Sequence, residues 1–513
     1  MKKINNFSII KFIVFAFAII LPFAMSISTL KSGNIDFGYD SARDFISGLD
    51  NLHKLTLIGP TSGIPGLFYG PYWIWLISLG LLFSQNPAWV VFIILTIPYF
   101  IIFPFVLFQF RKIFGFATCL ILWVLFIFST GMKYATSPWN PHPAPLLFLI
   151  LIYILAVSNF SENDKSKHLK ALLAGLVSGL ILNFHISFGV GSSFGVITFF
   201  IFEFIMQVLK QKNKLGKILI SHTSKLGMYF FGVLITFSPF FVFEQRHGYL
   251  QIKTILKVFQ TKGSVVTVVG LNKVSILQNF FGTSSILLKL PMFFGISVFV
   301  FSIIYFAYIL RQKKILLSYQ ENRLFLFLLS SVFGILFVYL TSKNPVWSYH
   351  FIGVEIIFLM FIGLIIGKVK VLRVFLAIWI VITLMLDASG IANAFHQNPY
   401  VNSSSLATEE KIVHTIASDA KGSKFNVFAY SPSIYTYEYK YLFKWIVKYD
   451  VSYDPGLNHI NTDTVYLIIP NAKNEIKQNF INYRTPSDKF KTLNKWKLQD
   501  GTLIIKREFI AKD

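Results

Sequence analysis

Residues 8–54 read SIIKFIVFAFAIILPFAMSISTLKSGNIDFGYDSARDFISGLDNLHK, and the two halves of that stretch set the rest of the chain in order. The first half, 8–30, is apolar enough and, at about 1.5 Å per residue, long enough to cross about 30 Å of hydrocarbon. The second half follows directly and carries four acids, Asp36, Asp40, Asp44 and Asp50. The opening Met1-Lys2-Lys3 and the apolar run behind it exceed the apolar region of a cleaved signal, so an uncleaved first span is expected.

Outward from that stretch the chain repeats the first half many times. Of 513 residues, 54% are apolar and only 14% charged, against roughly 25% charged in an ordinary soluble protein. Mean hydropathy is +0.61. Further spans are expected near 87–110, 115–131, 144–158, 170–184, 187–209, 226–243, 290–310, 323–340, 351–367 and 371–387. The chain is therefore a polytopic membrane protein, which excludes a secreted soluble enzyme, a nucleic-acid-binding domain and a disulfide scaffold. Cys119, the single cysteine, lies inside an apolar run, so no disulfide or thiol metal site is available. The net charge of +24 does not point to nucleic acid. Residues 1–387 hold 31 Lys and Arg against 11 Asp and Glu, with the bases gathered in short loops, as the positive-inside bias requires.

The run 70–84 is short for a span at 15 residues, and it opens on Gly-Pro with Trp73 and Trp75 near its head. Tryptophan there suits the membrane–water interface. If this run does not cross, the loops Arg111-Lys112, Lys165 to Lys170, Lys210 to Lys217, Arg311 to Lys314 and Lys368 to Arg373 all share the side of Met1-Lys2-Lys3. If it crosses, all five lie outside. A membrane-lying or re-entrant helix is therefore expected, leaving about eleven spans, a cytoplasmic N-terminus and an extracytoplasmic C-terminus. Residues 388–513 carry 28 charges and soluble patterns: helices at 409–420 and 433–447, strands at 425–431 and 464–470, and a hairpin at 496–507 around Asp500-Gly501. The expected fold is an all-α membrane domain over 1–387, with juxtamembrane helices in a first outer loop at 31–84, and a small extracytoplasmic α/β domain over 388–513.

Acids are scarce in 1–387, so their placement carries information. On a helix Asp40 and Asp44 stand at i and i+4 and Arg43 at i+3 from Asp40, so all three share one face just outside the bilayer. A carboxylate beside a guanidinium can remove a proton while the cation holds an anionic group. A solvated amphipathic helix would show the same pattern. Other polar residues gather on the same side: Tyr39 and His53 within the acidic stretch, Tyr69 in the loop LIGPTSGIPGLFYGP, Lys133, Tyr134, Trp139, Asn140 and His142 in KYATSPWNPHPAP, and Asn183 and His185 in LNFHISFG. Glu244, Arg246 and His247 follow in FEQRHGY, then Lys343, Trp347, Tyr349 and His350 in SKNPVWSYHF. Together they read as the lining of a cavity for a charged, polar ligand. A divalent metal ion is the one cofactor such a His/Asp set can hold, but no pair has HxxxH spacing, and an interfacial histidine bonded to loop backbone is the better account of any one of them. No metal ligands are assigned. Glu355 lies below His350 and can face the cavity, whereas Glu203 lies nearer the inner side. The tyrosines 435, 437, 439 and 441 can stack on sugar, although Tyr435 and Tyr439 at i and i+4 read as core.

YDSARD after an N-terminal span, the Gly-Pro-rich loop and the aromatic YWIWL helix resemble the integral-membrane glycosyltransferases of the C-type fold, specifically the bacterial relatives of protein O-mannosyltransferases and of the lipid A aminoarabinose transferase. RKIFG before a span, PWNPHP after it and NFH between the following spans are similar too. The resemblance covers roughly 1–390, with a looser likeness beyond. It implies a polyprenyl phosphate monosaccharide donor used on the outer face of the plasma (inner) membrane, and a lipid, glycan or protein acceptor. It further implies a first-loop acid as general base and a single inverting displacement with polyprenyl phosphate leaving. Carried over, that acid is Asp40, with Asp44 in support, because the second acid of the family pattern is Ser41 here. The Lys-Pro-Pro of the aminoarabinose branch is Gly70-Pro71-Tyr72, which leaves Arg43, Arg246 and Lys343 as candidates for the phosphate-binding cation. Two rival readings differ in what they require. A transporter needs inverted halves and midplane acids, which are not seen. A lipid-linked-glycan polymerase or ligase usually carries its large outer loop mid-chain, not at the end.

Overall fold

A computed structural model describes residues 6–62, 64, 66–158, 164–211, 214–260, 270–311, 320–431, 435–448 and 462–510. Met1-Lys2-Lys3, Lys212, Lys313, Lys314 and Ser433 lie outside the described residues. Eight described helices are long and apolar enough to cross a membrane. They are Ile13–Lys31, Pro87–Gln109, Phe116–Thr136, Lys165–Phe184, Ile186–Lys210, Leu215–Thr236, Gln320–Thr341 and Ser348–Lys368. Two bent pairs, Lys273–Leu288 with Met292–Ile304 (99°) and Lys370–Leu386 with Ala388–His396 (51°), bring the number to ten. With the shorter apolar helix Pro143–Val157 these match the expected spans except in two places: the span expected at 226–243 is Leu215–Thr236, broken at Phe237 before a separate helix Ser238–Arg246, and Lys273–Leu288 was not expected.

The larger bend falls where Lys289 takes a left-handed backbone (φ 50°) and Pro291 follows, which ends the first helix. Leu271 N–H donates to the Val346 carbonyl, and Lys289 pairs with Asp387 at 3.1 Å. Both partners stand at the end of the bundle that bears the first loop. Helix Lys273–Leu288 is held at both its ends, and Met292–Arg311 leaves it at the 99° bend. The opposite end is tied by Arg323–Glu203 (3.0 Å) and Lys368–Glu321 (2.8 Å). The first of these gives Glu203 a partner on a neighbouring helix.

Between helices, close approach replaces the hydrophobic drive that lipid cannot supply. A Cβ on Gly175 would run into the Tyr229 carbonyl, and one on Gly232 into the Leu172 carbonyl, so Asp164–Phe184 and Leu215–Thr236 meet backbone to backbone.

The first loop folds as two helices, α2 (Tyr39–His53) and α3 (Tyr72–Leu81), after the first span α1 (Asn6–Lys31). At ten residues α3 is too short to span, in keeping with the reading of 70–84. The buried side of α2 carries Ala42, Asp44, Phe45 and Gly48. Gly48 lets Ile77 of α3 close in, and Ser78 Oγ donates to the Gly48 carbonyl at 2.9 Å.

The C-terminal segment holds helix Leu406–Ala420 and a four-stranded sheet of β1 (Asn426–Ala429), β2 (Thr464–Ile469), β3 (Phe490–Lys497) and β4 (Leu503–Phe509) in the order β1-β2-β4-β3. β1 and β2 pair in parallel, and the other two pairs are antiparallel. Period-2 alternation sends Val465, Leu467 and Ile469 of β2 into one small core and Tyr466 and Ile468 into another. That second core is shared with the first loop: Phe37, Phe45 and Tyr441 meet edge to face at 5.2–5.5 Å. Backbone also joins the two, since Phe37 N–H donates to Ser404 O, Leu406 N–H to Ile35 O and Ala407 N–H to Gly33 O, at 3.0–3.1 Å. Helix Asn474–Arg484, between β2 and β3, has no counterpart in the sequence expectation.

Candidate active site

One face of α2 brings the paired carboxylates and the cation together. Arg43 Nη1 lies 2.9 Å from Asp40 Oδ1, and its Nη2 and Nε lie 2.8 and 2.9 Å from Asp44 Oδ1. The two acids are otherwise unlike. The Asp40 side chain is 52% exposed and opens outward. Asp44 is 1% exposed, and its second oxygen accepts the Trp73 indole N–H of α3 at 2.9 Å. Burial pushes the Asp44 carboxyl up, to about 7, against the downward pull of Arg43 and the indole. Arg43 itself is raised: its two carboxylate partners outweigh the cost of its own burial.

Around this triad the separate loop motifs converge. Ser41 Oγ donates to the Pro138 carbonyl at 2.7 Å, fixing α2 to the PWNPHP segment. Gly70 N–H donates to Asn183 O at 3.2 Å, and a Cβ on Gly70 would overlap the Asn183 amide, so only glycine lets this loop close on the NFH segment. Tyr69, one residue earlier, hydrogen-bonds Asn140 and lies within electrostatic reach of Asp40, Arg43 and Tyr349. Burial drives its phenol far up, so it stays protonated. Asn140 Nδ2 donates to Phe184 O at 3.0 Å. Trp139 and Tyr349 stack obliquely at 5.4 Å, and His185 and His350 stand 6.2 Å apart beneath them. Tyr39, the first residue of α2, carries the Arg43 guanidinium over its ring at 5.8 Å.

The histidines of this cluster are neutral hydrogen-bonding groups. His142 Nδ1 meets Ser137 O at 2.6 Å and His185 Nε2 meets Tyr349 O at 3.2 Å. Burial pushes both imidazoles down, to about 3. Among the described residues no three His, Cys, Asp or Glu side chains group as ligands for a metal ion. Glu355 is fully enclosed and accepts from Gly353 N–H at 2.9 Å, turning the start of its own helix.

Other residues of the expected set stand apart. Glu244 accepts from the Gln251 and Ile252 N–H groups, both at 3.0 Å, and so holds the start of helix Leu250–Gln260. Gln251 Oε1 in turn accepts from Phe68 N–H at 2.9 Å, which steadies the loop behind Tyr69. His247, just past the end of helix Ser238–Arg246, stacks on Phe243 at 4.1 Å. His53, Arg246 and Lys343 are exposed, and among the described residues no hydrogen bond or ion pair joins them to the cluster. Lys133 lines a separate groove of about 330 Å³ with Met25, Met132 and Ile391.

One participant and one contact were not expected from the sequence. Trp73 reads there only as an interfacial aromatic, yet it is the second partner of Asp44. Tyr437 of the C-terminal segment approaches Tyr39 to 5.0 Å, a contact for which the sequence offers only the clustering of tyrosines at 435–441.

No protein-family model matches the sequence, and no curated protein does. Among solved structures the chain is similar to ArnT from Cupriavidus metallidurans bound to undecaprenyl phosphate, with 9% identity and a TM-score of 0.59 over 97% of each chain. It is likewise similar to the same protein in the apo state, with 8% identity and a TM-score of 0.56 over 98% of each. At such identities the likeness is one of fold, and it runs through the membrane helices and the C-terminal segment alike. The fold that the first-loop motif led us to expect is the fold the chain adopts.

Proposed function

We propose that this chain is a membrane glycosyltransferase that moves a sugar from a polyprenyl phosphate donor to an acceptor hydroxyl on the outer face of the plasma membrane. In this reading 1–387 is the transferase domain and 388–513 an extracytoplasmic domain that orients the acceptor. The observation that carries it is the pairing of an open carboxylate with a doubly held guanidinium, Asp40 with Arg43, on an interfacial helix. A bound undecaprenyl phosphate in a protein of the same fold supports the donor class.

The residues divide the work as follows. Asp40 takes the proton of the acceptor hydroxyl as its oxygen attacks the anomeric carbon. The bond from that carbon to the phosphate oxygen breaks on the opposite face, the configuration inverts, and polyprenyl phosphate leaves with the electron pair. Arg43 faces the phosphate, where it stabilises the charge that builds on the leaving group. Asp44 and Trp73 hold Arg43 in place. Tyr69, Asn140 and Tyr349 supply neutral polar groups to the sugar.

The test is incubation of membranes containing the chain with a panel of radiolabelled polyprenyl phosphate sugars. Label should pass to an acceptor with release of polyprenyl phosphate, and Asp40→Asn membranes should fail to pass it. Extension of a lipid-linked oligosaccharide without consumption of any monosaccharide donor would identify a polymerase and sink the proposal.

A further inference from the structure

Four tyrosines stand at alternate positions in 435–441, and the structure splits them. Tyr439 and Tyr441 are 6% and 0% exposed and belong to the core shared with the first loop. Tyr435 is 45% exposed and belongs to none of the cores among the described residues, while Tyr437 is half-buried at the edge of the shared one. Their rings instead form a line. Tyr435 lies nearly parallel to Tyr437 (5.7 Å between centroids, 19° between planes), Tyr437 meets Tyr39 at 5.0 Å, and Tyr39 lies under Arg43. The line thus starts on the open surface of the C-terminal segment and ends beside the exposed carboxylate of Asp40.

We infer that Tyr435, Tyr437 and Tyr39 form a stacking platform for the sugar rings of a carbohydrate acceptor, an assignment that rests on the glycosyltransferase reading above. A phenol ring has an apolar face and a polar tip. A pyranose has the complementary make-up, with a C–H face that covers the ring and equatorial hydroxyls that reach solvent or the phenolic oxygen. A lipid tail would need a continuous apolar groove, whereas this line of phenols runs out against the charged Asp40–Arg43 pair. The acceptor is then a glycan or glycolipid that enters from the aqueous side across Tyr435 and presents a hydroxyl to Asp40. The donor phosphate sits on the other side of Arg43.

The experiment uses the full chain in nanodiscs, with methyl glycosides of glucose, galactose, mannose and N-acetylglucosamine as probes, read by saturation-transfer NMR. At least one glycoside should receive saturation on its ring C–H protons. Tyr435→Ala and Tyr437→Ala should each weaken its binding about 2- to 12-fold, the range an aromatic pair contributes, while Tyr435→Phe and Tyr437→Phe should retain it. Undecaprenyl phosphate binding, measured on the same samples, should be unchanged in all four variants and shows that each is folded. No saturation on any glycoside, equal saturation in the alanine variants, or a tyrosine-dependent response to an unglycosylated Ser/Thr peptide alone would overturn the platform. Failure of undecaprenyl phosphate to bind the wild type would overturn the donor reading instead, and the glycoside result would still decide the platform.

Discussion

Asp40 and Asp44 are one helical turn apart and have opposite surroundings, and this decides what each can do. A base must reach its proton, and only Asp40 is open. Asp40→Asn keeps the shape and removes the acceptor, so turnover should fall about 10²- to 10⁴-fold with donor binding preserved, measured by single-turnover transfer and by lipid titration. Asp44→Asn should act through Arg43, with a milder loss that appears chiefly as weaker donor binding. Near-normal turnover in the first variant and none in the second would exchange the roles. Asp44 also makes stability depend on pH. Its folded carboxyl titrates near 7 and its unfolded one near 3.8, so the folded chain holds the extra proton between those values. Stability from this group is therefore fully present below about pH 4 and is lost as pH rises through 7. The difference in apparent Tm between wild type and Asp44→Asn should shift against the wild type over that window and level off above it; a flat difference would contradict the assignment. The Asp40–Arg43–Asp44 face was legible in the sequence because helical spacing is local. The Trp73 contact was not, because it depends on how α3 packs against α2 across 29 residues of chain.

Among elements, legibility followed length and polarity. Helices such as Pro87–Gln109 and Ile186–Lys210 announce themselves by apolar runs that only a bilayer requires. Lys273–Leu288 does not, because it mixes polar and apolar residues and owes its place to contacts at both its ends. The polar helix Asn474–Arg484 was missed for a similar reason: Ile481 is its one fully buried residue, too little for a periodic signal. Helix pairing offers a sharper test. Gly227 and Gly232 sit on the same helix, yet a Cβ on Gly227 meets open space while one on Gly232 meets the backbone of the neighbouring helix. Gly227→Ala should leave thermal stability unchanged or raise it by about 0.5–1 kcal/mol through helix propensity. Gly232→Ala should lower it by about 1–3 kcal/mol through overpacking. Equal responses in a melting assay would mean that the two helices do not meet here.

For the whole molecule, the proposed function requires the end that bears the first loop to face out, as loop charge implies. The first loop and the C-terminal segment share one end of the bundle, joined by backbone from 33–37 to 404–407. With Cys119, which is buried, replaced by serine, single cysteines can read the side directly. Cysteines at the exposed positions Lys54 and Lys343 should react with an impermeant maleimide in intact cells, and those at Lys112 and Lys214 only after lysis. The reverse pattern would place the site in the cytoplasm, where a lipid donor would have to compete with nucleotide sugars, and would undo the functional proposal.

The same backbone join also sets a schedule for biogenesis. Ser404 emerges from the ribosome some 370 residues after Asp36, an interval of roughly 20–70 s at about 5–20 residues per second. Throughout that time 33–37 lack their backbone partners at 404–407, so every nascent chain passes through a phase in which the entry to α2 is unpaired. Chains arrested short of residue 404 should expose 33–54 to protease, where completed ones resist. On the proposed function, a product terminated short of residue 404 should thread the membrane yet transfer no sugar.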